Sequence, residues 1–217
     1  MPIMETPPQD LVSFGSSFEL QPPSGAAGQK VTLNARPGPS IQLQWGALVV
    51  ADPWYLEALP AQQIIFLGKG EKATLLSTID VSREGEAEPV TIACAAAIGP
   101  VDQVADWRPL VDDEAHFHLY PDSGLGAFFD ITDVSTLRPY FADDQHMFGV
   151  YKRALGEQVV TMDKDGRVAA VVFSVPDGPA EYPVYAGFDP DGLAIAALVD
   201  LKILNPIRPW HAENWPE

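Results

Sequence analysis

The chain has 217 residues, 47% hydrophobic and 20% charged, enough to bury the core of one domain or two small ones. Thirteen basic residues stand against thirty acidic, a formal net charge of −17, and since phosphate contacts need clustered Lys and Arg, nucleic acid is disfavoured as a partner. The single Cys94 excludes an internal disulfide, no apolar run approaches the ~18 residues of a membrane span, and Met1-Pro-Ile-Met-Glu-Thr-Pro-Pro8 lacks a secretory signal, so a cytoplasmic location is expected.

Residues 1–29 are rich in Pro, Gly, Ser and Gln and read as an extended or partly ordered arm, whose Leu11, Val12, Phe14, Phe18 and Leu20 are available to lie against the body. From Val31 the texture turns to strands. Val31–Ala35, Ile41–Trp45 and Leu48–Val50 are the first candidates; the middle one alternates apolar residues with Gln as a half-buried strand does, which makes Trp45 a core residue and Gly46 a bend. Asp52-Pro53 ends that run, because Pro cannot donate to a ladder, and Trp54–Leu59 is compatible with one helical turn. Gln63–Leu67, Ala73–Val81 and Val90–Ile98 follow as strands, with the charged Arg83–Pro89 segment as a hairpin loop and a meander as the simplest topology. Cys94 falls within the apolar Val90–Ile98 run and reads as a buried, inert thiol.

Beyond Trp107, Ala115–Tyr120 alternates and leads into a glycine-rich turn. One principal helix is predicted over about 143–155: Asp143 or Asp144 caps it, Met147, Val150, Tyr151 and Leu155 form its apolar stripe, Lys152 and Arg153 suit its last turn, and Gly156 ends it. Residues 157–204 read as two hairpins, each with an Asp-x-Asp-Gly turn before an apolar strand. The fold class expected is therefore α+β and β-dominated, with antiparallel sheets in one domain over 30–206, followed by a Trp- and Pro-containing tail over 207–217.

Three segments carry a family resemblance. They are Gly46-Ala-Leu-Val-Val-Ala-Asp-Pro53, Tyr120-Pro-Asp-Ser-Gly-Leu-Gly-Ala-Phe-Phe-Asp130 and the turn-rich run from Pro176 to Asp200. Together they resemble family 4241 of bacterial domains of unknown function over roughly residues 44 to 204. Asp122, Gly124, Phe128 and Asp130 fall on that family's middle block. Asp177, Gly178, Tyr182, Tyr185, Gly187, Asp189, Gly192 and Asp200 fall on its end block, with Pro176 where a Gly is expected and one extra residue before Tyr182. The resemblance implies no chemistry.

The candidate chemistry divides into binding and catalysis. The two Asp-x-Asp-Gly segments open like a calcium loop, but the twelfth position from Asp163 is Ser174 and the loop from Asp189 lacks its third oxygen ligand, so both read as turns. His116 and His118 share a face if Ala115–Tyr120 is one strand; this pair with nearby carboxylates has metal-ligating character, or else forms the polar, solvent side. Asp122 and Asp130 flank the glycine-rich turn and offer two carboxylates for acid–base work, or simply bound a sharp turn. No serine elbow, His–Cys couple, phosphate loop or dinucleotide fingerprint is present.

Acids crowd the centre of the chain: ten lie between Asp102 and Asp144, against only Arg108 and Arg138. Such a field either serves solubility alone or steers a basic partner, for which Trp residues beside acidic loops supply anchors. The function expected is a non-enzymatic, acidic protein-binding module, in its most concrete form an immunity protein neutralising a basic bacterial toxin. Asp112, Asp113, Glu114, Asp143, Asp144 and Trp107 are its expected contact residues. The alternative is a small metal- or carboxylate-dependent hydrolase using Asp122 and Asp130 with His116 and His118. No cofactor is expected.

Overall fold

The computed structural model describes residues 8–12, 17–20, 29–58, 64–81, 90–112, 115–175 and 181–201. In chain order the elements are α1 (Pro8–Leu11), β1 (Ser17–Leu20), β2 (Gln29–Leu43), β3 (Ala47–Ala51), β4 (Ile64–Phe66), β5 (Gly70–Val81), β6 (Val90–Ile98), β7 (Asp106–Pro109), β8 (Val111–Asp112), β9 (Ala115–His116), β10 (His118–Leu119), β11 (Leu125–Asp130), α2 (Ile131–Phe141), α3 (Asp144–Glu157), β12 (Val159–Lys164), β13 (Arg167–Ser174), β14 (Tyr182–Phe188) and β15 (Ala194–Asp200). Two 3₁₀ turns, Pro53–Ala58 and Val101–Gln103, also occur among the described residues.

The strands form two main antiparallel sheets. One has eight strands in the order β1-β2-β5-β6-β15-β14-β10, with β7 also on β14; the other runs β12-β13-β11-β3-β4. Strand partners β1–β2, β3–β4, β5–β6, β12–β13 and β14–β15 are also successive in sequence, and the chain passes from the first sheet to the second at β3 and returns at β5. The fold is thus α+β and β-dominated.

The sheets face each other across a core that includes Ile41, Leu48, Phe128, Phe173, Tyr182 and Val199. Behind the five-stranded sheet, Val49, Phe129 and Val172 meet Val134, Leu137 and Phe141 of α2 and Met147, Val150 and Ala154 of α3. On the outer face of the eight-stranded sheet, Leu11 of α1 packs with Leu33, Cys94, Ala97 and Leu198. Strands covered on both faces need apolar residues at every position, which is why β3 and β11 are buried throughout and do not alternate. Cys94 is buried as expected, and burial pushes its thiol far above the usual range, with the charge of Asp200 adding to the effect.

Local signals explain the turns. Gly46, at φ +77°, bends the chain between β2 and β3; a Cβ there would sit 2.5 Å from the carbonyl carbon of Gly68, so only glycine fits. Asp165 and Gly166 both take positive φ between β12 and β13, a tight hairpin turn. Asp189 Oδ1 accepts from the amides of Asp191 and Leu193, each at 2.9 Å, and so closes the turn between β14 and β15 with its own carboxylate.

Three expectations are corrected. Where one principal helix is predicted, there are two. The unforeseen α2 starts at Asp130, whose side chain accepts from Thr132 N, and its β-branched Ile131, Thr132, Val134 and Thr136 together with Pro139 weaken the sequence signal. The expected helix α3 is capped by Asp143, which accepts from Gln145 N and His146 N, but it runs through Gly156 to Glu157, and Gln158 takes the left-handed terminating position at φ 64°. Trp45 is not core: β2 ends at Leu43, and Trp45 is 71% exposed in the following bend.

Candidate functional site

Pairing of β3 with β11, in the register Ala51↔Ala127 to Leu48↔Asp130, sets the end of β3 beside the start of β11. The Asp52–Pro53 step and the Tyr120–Gly124 turn therefore abut, although 71 residues separate Asp52 from Ser123. Asp52 is 4% exposed. Its Oδ1 accepts from Trp54 N at 2.8 Å and from Ser123 Oγ at 2.6 Å, and its Oδ2 accepts from Ser123 N at 2.8 Å. Tyr55 N donates to the Asp52 carbonyl at 3.1 Å and so starts the 3₁₀ turn. Across the junction, Gly124 adopts φ +74°, its N–H donates to Pro121 O at 2.9 Å, and its carbonyl accepts from Val175 N at 3.0 Å. The central Asp/Gly block is thus a built turn that holds Ser123 against Asp52.

The electrostatics follow from this packing. Burial pushes the Asp52 carboxyl above the ordinary aspartate range; the bonds from Ser123 and Trp54 pull it down, and the charge of Asp122 adds to the rise. The exposed Asp122 accepts a hydrogen bond from the Tyr55 hydroxyl, and its charge, followed by desolvation and that bond, holds the phenol protonated beyond its usual range. Because the folded-state value of Asp52 is raised, protonation favours the folded form. Its contribution to stability is least favourable above the folded-state pKa and improves as pH falls through it towards the unfolded value. Ser123→Ala deletes one donor and leaves the backbone N–H, so the Asp52 midpoint moves further up; a carboxyl-detected NMR titration of the two proteins checks this, and a midpoint that stays or falls contradicts it.

Above Asp52 the surface is aromatic. Trp54 and Tyr55 are each 50% exposed and Tyr120 is 54% exposed. His118, half-buried, meets Tyr120 edge-on at 6.2 Å between centroids. The Asp122 carboxylate beside the half-exposed Tyr55 ring suits a Lys or Arg side chain, which gains an ion pair and a ring face together.

The structure does not bring Asp122 and Asp130 together. β11 lies between them, and its five steps from Leu125 to Asp130 span roughly 17 Å at ~3.3 Å per residue. Asp130 is fully buried and committed: it accepts from Gln44 N at 3.0 Å and from Thr132 N and Oγ1 at 3.2 and 2.8 Å, and lies 3.6 Å from Arg167 Nη1. Arg167 Nη2 also stands 2.6 Å from Asp133 Oδ2, and Lys164 Nζ reaches Asp133 Oδ1 at 3.1 Å and Thr136 Oγ1 at 2.9 Å. With its amide oxygen turned to the guanidinium, Gln44 accepts from Arg167 Nε and Nη2 at 2.9 Å each. Two carboxylates and two cations thus tie α2 to the β12–β13 hairpin, a structural role rather than an acid–base pair.

The other expected site residues are dispersed. Ala115–Tyr120 is not one strand: His116 pairs with Val111 on β8, His118 pairs with Pro183 on β14, and the buried Phe117 lies between, its carbonyl accepting from Val184 N at 3.2 Å. Among the described residues no group of three or more His, Cys, Asp or Glu is placed to hold a metal ion. Asp112 is on the backbone of β8, while Asp113 and Glu114 lie outside the described residues. Asp144 is exposed; Asp143 is spent in part on capping α3, and the bond from the His146 amide holds its carboxyl below the usual range. Trp107 is half-buried on β7, its ring over Gly187. Asp177, Gly178, Trp210 and Trp215 also lie outside the described residues.

Residues that sequence reading missed are Ser123, Tyr55 and the Arg167–Lys164 pair. The one available signal was Asp52 itself, a carboxylate at the end of a fully apolar strand and directly before Pro. No protein-family model, no curated protein and no solved structure matches this chain.

Proposed function

We propose that this chain is a non-enzymatic, acidic protein-binding module that takes a basic protein partner, in its most concrete form an immunity protein covering the active surface of a basic toxin. The observation that carries the reading is the junction surface, where Trp54, Tyr55 and Tyr120 are each about half exposed and Tyr55 stands beside Asp122, in a chain of net charge −17. Aromatic rings bury area at low conformational cost, and the surrounding field speeds encounter with a cation-rich surface. The hydrolase alternative drew on Asp122 and Asp130 in one site, and β11 separates those carboxylates.

The test begins with affinity capture from the source cell and continues with association kinetics on the protein recovered. Association is expected to slow as ionic strength rises to physiological values, where the Debye length is about 8 Å. Asp122→Lys and reversal of Asp143 and Asp144 should chiefly lower the on-rate. Trp54→Ala and Tyr55→Ala should chiefly raise the off-rate, by about tenfold or more for a true anchor. Recovery of no stoichiometric protein, together with turnover of a small molecule, would sink the binding reading.

A further inference from the structure

A groove elsewhere on the molecule shares no residue with the Asp52–Tyr120 junction. It measures about 390 Å³ and lies between the middle of β2 and the C-terminal end of α3, continuing onto β12. Its volume falls in the range of small-molecule sites, ~300–1,000 Å³. The β2 wall is fixed by a register shift between Pro37 and Ser40, where Thr74 Oγ1 donates to Pro39 O at 2.6 Å and crowds the space beside Gly38. The opposite wall is fixed by Gln158, whose left-handed backbone ends α3 and whose Nε2 donates to Thr91 O at 3.2 Å. The walls are therefore preformed.

Two arginines line this groove. Arg36 is exposed and makes no hydrogen bond or ion pair among the described residues. Among the described residues Arg153 meets only Glu157, Nε to Oε1 at 3.3 Å, with both side chains more than half exposed, a pair worth little in water. In a chain with thirty acids and thirteen bases, an arginine with no carboxylate partner among the described residues, beside a rigid cleft, offers a place for an anion. We propose that the groove binds a small organic monocarboxylate with an apolar body. The guanidinium fork of Arg36, supported by Arg153, matches the carboxylate, and Pro37, Pro39 and Val159 supply the apolar wall. A single charge is favoured because Glu157 at the rim, the C-terminal end of α3 and the net charge all repel multiply charged anions.

The whole chain is titrated with benzoate, 3-phenylpropionate and octanoate, each beside its primary amide, and with inorganic phosphate, following backbone amide NMR shifts. At least one carboxylate is expected to bind about tenfold more tightly than its amide, with the largest shifts at Arg36, Gly38 and Gln158 to Thr161. Arg36→Gln and Arg153→Gln leave the melting temperature unchanged, because both side chains are exposed, and each reduces that preference; Arg36→Lys restores part of it. Equal binding of acid and amide, shifts confined to another surface, an undiminished preference in the double variant, or phosphate binding more tightly than all three carboxylates would each overturn the proposal. None of these readouts involves a protein partner, so the result stands apart from the function proposed above.

Discussion

Gly126→Val is expected to destabilise the chain by about 3 kcal/mol or more, the upper end of what overpacking a core costs. Gly126 is buried in β11 on the face that meets the other sheet, and a Cβ there would lie 2.5 Å from Phe173 Cζ and 2.8 Å from Leu119 Cδ2. Neither neighbour has room to move, since Phe173 and Leu119 are each 1% exposed and the Phe173 ring packs on Phe128 at 5.1 Å between centroids. Gly124→Val probes a different cost. Its position has space, with only Tyr151 Cε2 near, at 3.4 Å, but its φ of +74° charges a β-branched residue about 1–2 kcal/mol of backbone strain. Urea unfolding of both variants should rank Gly126→Val well below Gly124→Val, and a Gly126→Val protein as stable as the parent would show that β11 is not packed as described.

Asp130→Ala is expected to cost about 3 kcal/mol, again read by urea unfolding. Three losses combine: the helix cap on α2, typically ~1 kcal/mol; the part-buried hydrogen bond from the amide of Gln44 to the carboxylate, ~1.5–3 kcal/mol; and one of the two carboxylates facing Arg167. Asp133 keeps its contact with that guanidinium, which limits the total. Asp130→Asn retains an acceptor of the same shape and should lose less than half as much. An Asp130→Ala protein that keeps its stability while losing a measurable activity would move Asp130 from structure to chemistry.

The sheet was largely legible in the sequence because its signals are local. Gly46, Asp165-Gly166 and Asp189–Gly192 mark turns by conformational preference, and the apolar runs between them have strand length. Helix α3 was legible for the same reason, through its Asp143 cap and apolar stripe. Helix α2 was not, because β-branched residues and Pro139 mask a segment held mainly by burying Val134, Leu137 and Phe141. The junction of Asp52 with Ser123 was illegible for a geometric reason: which turns meet is decided by the pairing of β3 with β11, and no local pattern encodes that choice. The same blindness made Asp122 and Asp130 look like partners. Eight positions apart in sequence, they are held apart by an extended strand, whereas a helix would have brought them closer.

The place of β15 bears on how this protein is made. It is the last strand described, yet it lies inside the larger sheet, between β6 and β14. Until it leaves the ribosome, the alanine-rich β6 has one ladder edge satisfied by β5 and the other open. Translation at ~5–20 residues per second leaves that edge uncovered for roughly 5–20 s between completion of β6 and arrival of β15. An apolar, unpaired strand edge is a template for association with other chains. The nascent protein is therefore most vulnerable during its own synthesis, and truncation just before β15 would make that vulnerability permanent.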